Sequence, residues 1–234
     1  MVIGALIDAG ADPHDLEQKL KKLQIEDEYE LSWDQVNKNG ITSTKFNVIL
    51  KNGNHDGMKT HHHHRAYRQI VQMIEAADFS ERVQMIALNI FKKIGKAEAH
   101  IHGVPLEDVH FHEVGAVDSM IDIVGTAILV DQLKVDQIKS SPIPVGSGKI
   151  HIDHGIYPVP APATLEIMRG IPIAKSKLKA ELTTPTGAAI ANVLAEKYCT
   201  MPPMIIESIG YGAGTRSFSD HPNVLRVVIG DGQK

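Results

Sequence analysis

"VHFHEVGAVDSMIDIVG", Val109–Gly125, is the stretch on which the reading of the fold turns. It opens with apolar residues alternating with imidazoles, the pattern of a strand whose side chains point in turn to opposite faces. Gly115 then gives the chain room to turn. Met120, Ile121, Ile123 and Val124 are apolar, so a largely buried helix is expected from here to about Leu133. A short strand feeding a buried helix puts both kinds of element in one core. The fold class expected is α+β, with mixed sheets and packed helices, in a single large domain or two intimately joined subdomains.

The flanking sequence fits that class. Val2, Ile3, Leu6 and Ile7 have helical spacing, with Gly10 as the stop. Asp12 caps a second helix that has Pro13 in its first position and Leu16, Leu20 and Leu23 on one face. Residues 28–51 read as a hairpin turning on "NKNG". Helices are expected at 65–76 and 79–99, the second with Val83, Ile86, Ala87, Ile90, Ile94 and Ala97 in one stripe. Proline-rich strand and loop follow, then a short helix stopped by Gly170. A helix begins at Pro185 behind Thr184 and is expected to run to about Tyr198, with Cys199 packing at its end. Two strands, "MIIESIGYGAG" and "NVLRVVIG", close the chain.

Composition narrows the function. The chain has 234 residues, 43% hydrophobic and 22% charged, with a formal net charge of −4. Lysine and arginine are dispersed, which argues against nucleic acid as partner. No run approaches the length of a membrane span, and the opening residues lack a cationic lead, so a cytoplasmic protein is expected. Cys199 is the only cysteine, which excludes an intrachain disulfide and a cysteine-rich metal site. There are 13 histidines. Four are consecutive, His61, His62, His63 and His64, in a polar aperiodic stretch read as a mobile loop that collects divalent ions.

In a strand, His110 and His112 point the same way, about 6.6 Å apart, and converge on one side. Phe111 points into the core, and Glu113 follows where the strand ends. Asp118 and Asp122, four apart on the helix, stack their carboxylates on one face. Two readings stand: a divalent-metal site, or a surface strand with incidental histidines. Spacing does not name the metal, because imidazole suits zinc, copper, iron and nickel alike. "KIHIDHG" offers His151 and Asp153 on one strand face, with Lys149 and His154 nearby. Thr184, Thr186 and Gly187 open a helix whose first amides suit a phosphate, or make an ordinary cap. "GYGAGTR" reads as an anion nest or a tight turn, with Arg216 as its cation.

"HFHEVGAVDSMIDIVG", "PVPAPAT", "TPTGAA", "GYGAGTR" and "PNVLRV", in that order, closely resemble the LarC family of nickel-insertion proteins. The resemblance runs through nearly the whole chain. It implies a nickel chelatase of the lyase class. Nickel enters pyridinium-3,5-bisthiocarboxylic acid mononucleotide, bonding two sulfurs and one ring carbon, and the full-length family depends on CTP with Mg or Mn. On this resemblance residues 1–234 form the nickel and substrate domain, with a histidine-rich loop at about 52–64. His110, His112, Asp118 and Asp122 are its metal candidates, together with His61, His62, His63 and His64. Glu113, His110 or His112 accepts the ring proton, and Thr184, Thr186, Gly187, Arg216, Lys149 and His151 contact substrate. Full-length members also have a leading strand and a C-terminal CTP domain. The expectation is that both are missing here and that a separate CTP-binding polypeptide is a partner. Two other classes compete: a non-catalytic nickel storage or delivery protein, and a metal-dependent phosphoester hydrolase.

Overall fold

Helices and mixed sheets are both present, as expected of the α+β class. The computed structural model describes residues 1–51, 65–111, 117–152 and 155–232. The loop expected at about 52–64 lies outside them, and with it the metal candidates His61, His62, His63 and His64. His112, Glu113, Asp153 and His154 lie outside them too. Contacts divide the chain into two units, Met1–Thr60 with Val124–Val135 and Pro202–Lys234, and His61–Ile123 with Asp136–Met201.

The first unit is built on one four-stranded sheet. Strands β1 (Tyr29–Lys38) and β2 (Ile41–Leu50) form the expected hairpin. Asn39 and Gly40 both have positive φ, 50° and 87°, as a two-residue turn matched to strand twist requires. Strands β9 (Met204–Ala213) and β10 (Val224–Gly232) form a second hairpin, and β2 joins β9 in parallel, giving the order β1-β2-β9-β10.

Helix α1 (Val2–Asp8) lies directly on this sheet, and the reason is glycine. A Cβ on Gly210 would strike the Ala5 carbonyl and the Ala9 amide, and one on Gly212 would strike the Met1 carbonyl. "GYGAG" is therefore neither an anion nest nor a turn. Gly210 and Gly212 are strand positions kept bare so that a helix backbone can approach, and Ser208 Oγ donates to the Ala9 carbonyl at 2.9 Å beside them. Helix α2 (Pro13–Leu20) is capped by Asp12, which accepts from the His14 amide at 2.8 Å. It is shorter than expected, and Leu23 falls in the 3-10 turn that follows. The later part of α5 (Val117–Leu133) closes the core, with Gly125 against Ile3 and Gln132 bonded to both Asp12 and Asp15.

The second unit is mainly helical. Helices α3 (Tyr67–Ala76) and α4 (Glu81–His102) are present, and every residue of the predicted α4 stripe is buried. Ser80 caps α4 and Gly103, at φ +66°, ends it. The helix thus takes in His100 and His102, and His102 pairs with Glu98 at 3.2 Å. Helices α6 (Pro162–Ile167) and α7 (Pro185–Leu194) pack with α4. Three two-stranded ladders surround them: β3 (Lys139–Ser140) with β8 (Lys197–Tyr198), β4 (Ile143–Pro144) with β7 (Ile173–Ala174), and β5 (Lys149–Ile152) with β6 (Gly155–Pro158). Helix α7 stops earlier than its sequence suggests, because Lys197–Tyr198 pairs with β3. Cys199 accordingly ends a strand, not a helix, its amide bonded to the Ser140 carbonyl at 2.8 Å.

Candidate functional site

The His110 segment is positioned by what lies on either side of it. Val109 and Phe111 are each 1% exposed, whereas His110 is exposed, so the alternation read from sequence is real at these three residues. The Phe111 ring meets Tyr67 and Phe91, both with centroids 6.3 Å away. The Tyr67 amide donates to the Val109 carbonyl at 3.0 Å, and Ala66 forms an isolated antiparallel bridge with His110. Among the described residues of the expected strand this bridge is the ladder contact that forms, and the partner segment turns into α3 immediately after Ala66. Burial, reinforced by the carboxylates of Glu107 and Glu75, pushes the Tyr67 phenol up. A neutral aromatic wall therefore backs the backbone from which His110 projects.

Helix α5 supplies the carboxylates. Asp118 is exposed, and its Oδ1 accepts from the Ser119 amide at 2.8 Å, while Asp122 is half-buried. Met120, Ile121 and Ile123 are fully buried, but the aspartates sit on the side of the helix that is not. Among the described residues no group of three or more histidine, cysteine or acidic side chains converges to hold an ion. His112 and Glu113, which would complete the His110 group, fall outside them, as do all four of His61, His62, His63 and His64.

The remaining candidates occupy a ladder, a helix start and a loop. Lys149 and His151 are both exposed on β5, two apart and so on one face, opposite Pro158 and Ile156 of β6. At α7, Thr184 Oγ1 accepts from the Gly187 amide at 3.2 Å, the bond of an ordinary N-cap. Thr186 and Gly187 are half-buried beside it. Arg216 is exposed in the first unit, and its backbone carbonyl accepts from Lys38 Nζ at 3.2 Å and Asn223 Nδ2 at 3.0 Å. Those bonds fix the loop that carries the guanidinium.

One residue the sequence reading missed is Asp8. Its carboxylate accepts from Thr44 Oγ1 at 2.8 Å, the Tyr211 amide at 2.7 Å and Gln35 Nε2 at 3.2 Å, tying α1 to three strands. An acid in the last turn of an apolar helix, where the helix dipole disfavours it, was the available signal.

The family model described as "Nickel insertion protein" matches residues 1–234. The chain is similar to a protein of Geobacillus kaustophilus named pyridinium-3,5-bisthiocarboxylic acid mononucleotide nickel insertion protein, 52% identical over 99% of this chain and 56% of the relative. Proteins of the same name in Staphylococcus epidermidis and Clostridium kluyveri are 47% and 45% identical, each over 100% of this chain and over 56% and 59% of their own lengths. The chain thus spans little more than half the length of these relatives. No solved structure matches it significantly.

Proposed function

The chain belongs to the nickel insertion protein family, and from that premise we propose that it takes part in placing nickel into pyridinium-3,5-bisthiocarboxylic acid mononucleotide. The observation that supports this most directly is the match over the full 234 residues, which takes in every motif singled out from the sequence. The substrate supplies the sulfur ligands, so the protein needs only nitrogen and oxygen donors for the incoming ion. That agrees with a chain whose single cysteine is half-buried at a strand end.

In the reaction proposed, Ni²⁺ bonds two sulfurs and a ring carbon, and the proton on that carbon leaves. His110 and His112 hold the ion on the entry side. Glu113, or one of these imidazoles, accepts the proton once nickel has acidified the C–H bond. Asp118 and Asp122 orient the imidazoles or offset the pyridinium charge. Lys149 and His151 on β5, the α7 start at Thr184, Thr186 and Gly187, and Arg216 are candidate contacts for the substrate's anionic groups. His61, His62, His63 and His64 collect nickel, as adjacent imidazoles do. The CTP- and Mg- or Mn-dependent part of the chemistry is proposed to reside in sequence that the relatives have beyond this match, with a separate CTP-binding polypeptide as one form of that partner. No helix among the described residues is long and apolar enough to cross a membrane.

Calorimetric nickel titration tests the placement. The chain with His61, His62, His63 and His64 replaced by serine is compared with the same chain also carrying His110→Ala and His112→Ala. Loss of a one-to-one event in the second protein supports the reading. Unchanged binding refutes the placement. Nickel binding that ignores the substrate nucleotide favours the storage alternative, and phosphoester turnover with zinc or manganese favours the hydrolase.

A further inference from the structure

Lys38 is the last residue of β1 and points to the sheet face opposite α1, as does Lys45 of β2. Residues 215–219, which follow β9, lie against these two side chains. Lys38 Nζ donates to the Thr215 carbonyl at 3.4 Å, the Arg216 carbonyl at 3.2 Å and Ser217 Oγ at 3.3 Å. Those bonds occupy every proton of the ammonium group. Lys45 Nζ donates to Thr215 Oγ1 at 2.6 Å, and Asn39 Nδ2 donates to the carbonyls of Phe218 at 3.1 Å and Ser219 at 3.0 Å.

The Arg216 carbonyl is the centre of this arrangement. A carbonyl oxygen has two lone pairs, and here Lys38 takes one while Asn223 Nδ2, at 3.0 Å, takes the other. The peptide plane after Arg216 is held from two sides, which sets the direction in which its side chain leaves the backbone. Asn223 is itself seated on Gly214, where an added Cβ would strike its side-chain amide. The Arg216 side chain, by contrast, is exposed and bonded to none of the described residues.

Holding the loop does not by itself require an ammonium. Asn39 holds two carbonyls of the same stretch with a neutral amide, and so takes no charge out of water. Among the described residues no carboxylate pairs with Lys38 or with Arg216. Two cations on touching segments repel, and a ligand anion offsets that repulsion. We propose that Lys38 is a positioning residue for substrate binding. It aims the Arg216 guanidinium through the backbone of residues 215–217, and its charge adds to the field that draws an anionic group of the nucleotide. The proposal rests on the reading of Arg216 as a substrate contact.

The test is a double-mutant cycle on calorimetric binding of nickel-free pyridinium-3,5-bisthiocarboxylic acid mononucleotide to the full chain. Arg216→Ala should weaken binding about tenfold, as loss of a hydrogen bond between charged groups does. Lys38→Met keeps the stem and removes the donors. It should weaken binding about fivefold in the parent but by less than about twofold in Arg216→Ala, because it acts mainly through that side chain. Asn223→Ala removes the other donor to the same carbonyl and should repeat the pattern, which keeps the test open if Lys38→Met does not fold. Urea unfolding read by Trp33 fluorescence checks that each variant is folded. Lys38→Met and Asn223→Ala proteins that bind like the parent, or effects that keep their full size in Arg216→Ala, overturn the proposal and leave the Arg216 contact standing. A parent that does not bind the nucleotide, or an Arg216→Ala protein that binds it like the parent, refutes the Arg216 contact and removes the proposal with it.

Discussion

Replacing Gly210 by alanine tests the packing of α1 on the sheet. The added Cβ meets backbone, the Ala5 carbonyl and the Ala9 amide, and stands 2.9 Å from the Ala9 Cβ. No side-chain rotation relieves contacts of that kind, so α1 must lift. Overpacking such a site costs about 1–3 kcal/mol. Lifting α1 also stretches the bonds from Ser208 to Ala9 and from the Tyr211 amide to Asp8, at about 1 kcal/mol each. Against this, alanine is favoured over glycine in a strand by about 0.5–1 kcal/mol. The net expected destabilisation is about 2–4 kcal/mol. Trp33, the only tryptophan, lies in β1 of the same unit, so urea unfolding followed by its fluorescence reports the right part of the chain. With a urea slope of about 2 kcal/mol per molar, the midpoint should fall by about 1–2 M. Gly232→Ala, which meets nothing within 4 Å, is the control and should stay within about 0.5 kcal/mol of the parent. A Gly210→Ala protein as stable as that control would refute the close-approach argument.

Asp8→Asn keeps one acceptor oxygen but turns an amide group towards donors from Thr44, Tyr211 and Gln35; a loss of about 1–3 kcal/mol is expected in the same Trp33 assay. Tyr29 binds its proton more tightly folded than unfolded, its phenol standing at about 12 against the ordinary 10.0. Its share of stability is therefore complete below about pH 10 and lost as pH rises towards about 12; urea midpoints across that window should fall less steeply in Tyr29→Phe than in the parent. Gly187→Ala has only ordinary contacts, 3.6 Å from Thr184 Oγ1 and 3.8 Å from Thr183 Cγ2, and should stabilise α7 by about 0.5–1 kcal/mol. A substrate affinity lowered in that more stable protein would assign the approach at Gly187 to an anion, and an unchanged affinity would leave Thr184 a cap and nothing more.

Much of the architecture was legible because its signals are local. Asn39-Gly40 turns a hairpin by its own backbone preference, Asp12 and Thr184 cap the helices they precede, and the α4 stripe repeats at helical spacing. The errors fall where a distant partner overrides such a preference. Lys197–Tyr198 has a helical look, but pairing with β3 makes it a strand. His110 sits in an alternating run, but its only ladder partner among the described residues is Ala66, and one bridge is all that forms there.

The sequence by itself determined the family, the helix starts, the hairpin and the outward face of His110, since each depends on residues a few positions apart. The tertiary structure alone decided what Gly210 and Gly212 are for and why Asp8 stands in an apolar helix. Asp8 and Tyr211 are bonded across 203 positions of chain, and Tyr29 meets Glu17 and Lys51 only once helix and hairpin have packed. No spacing rule reaches that far, because what fixes these roles is close contact in space.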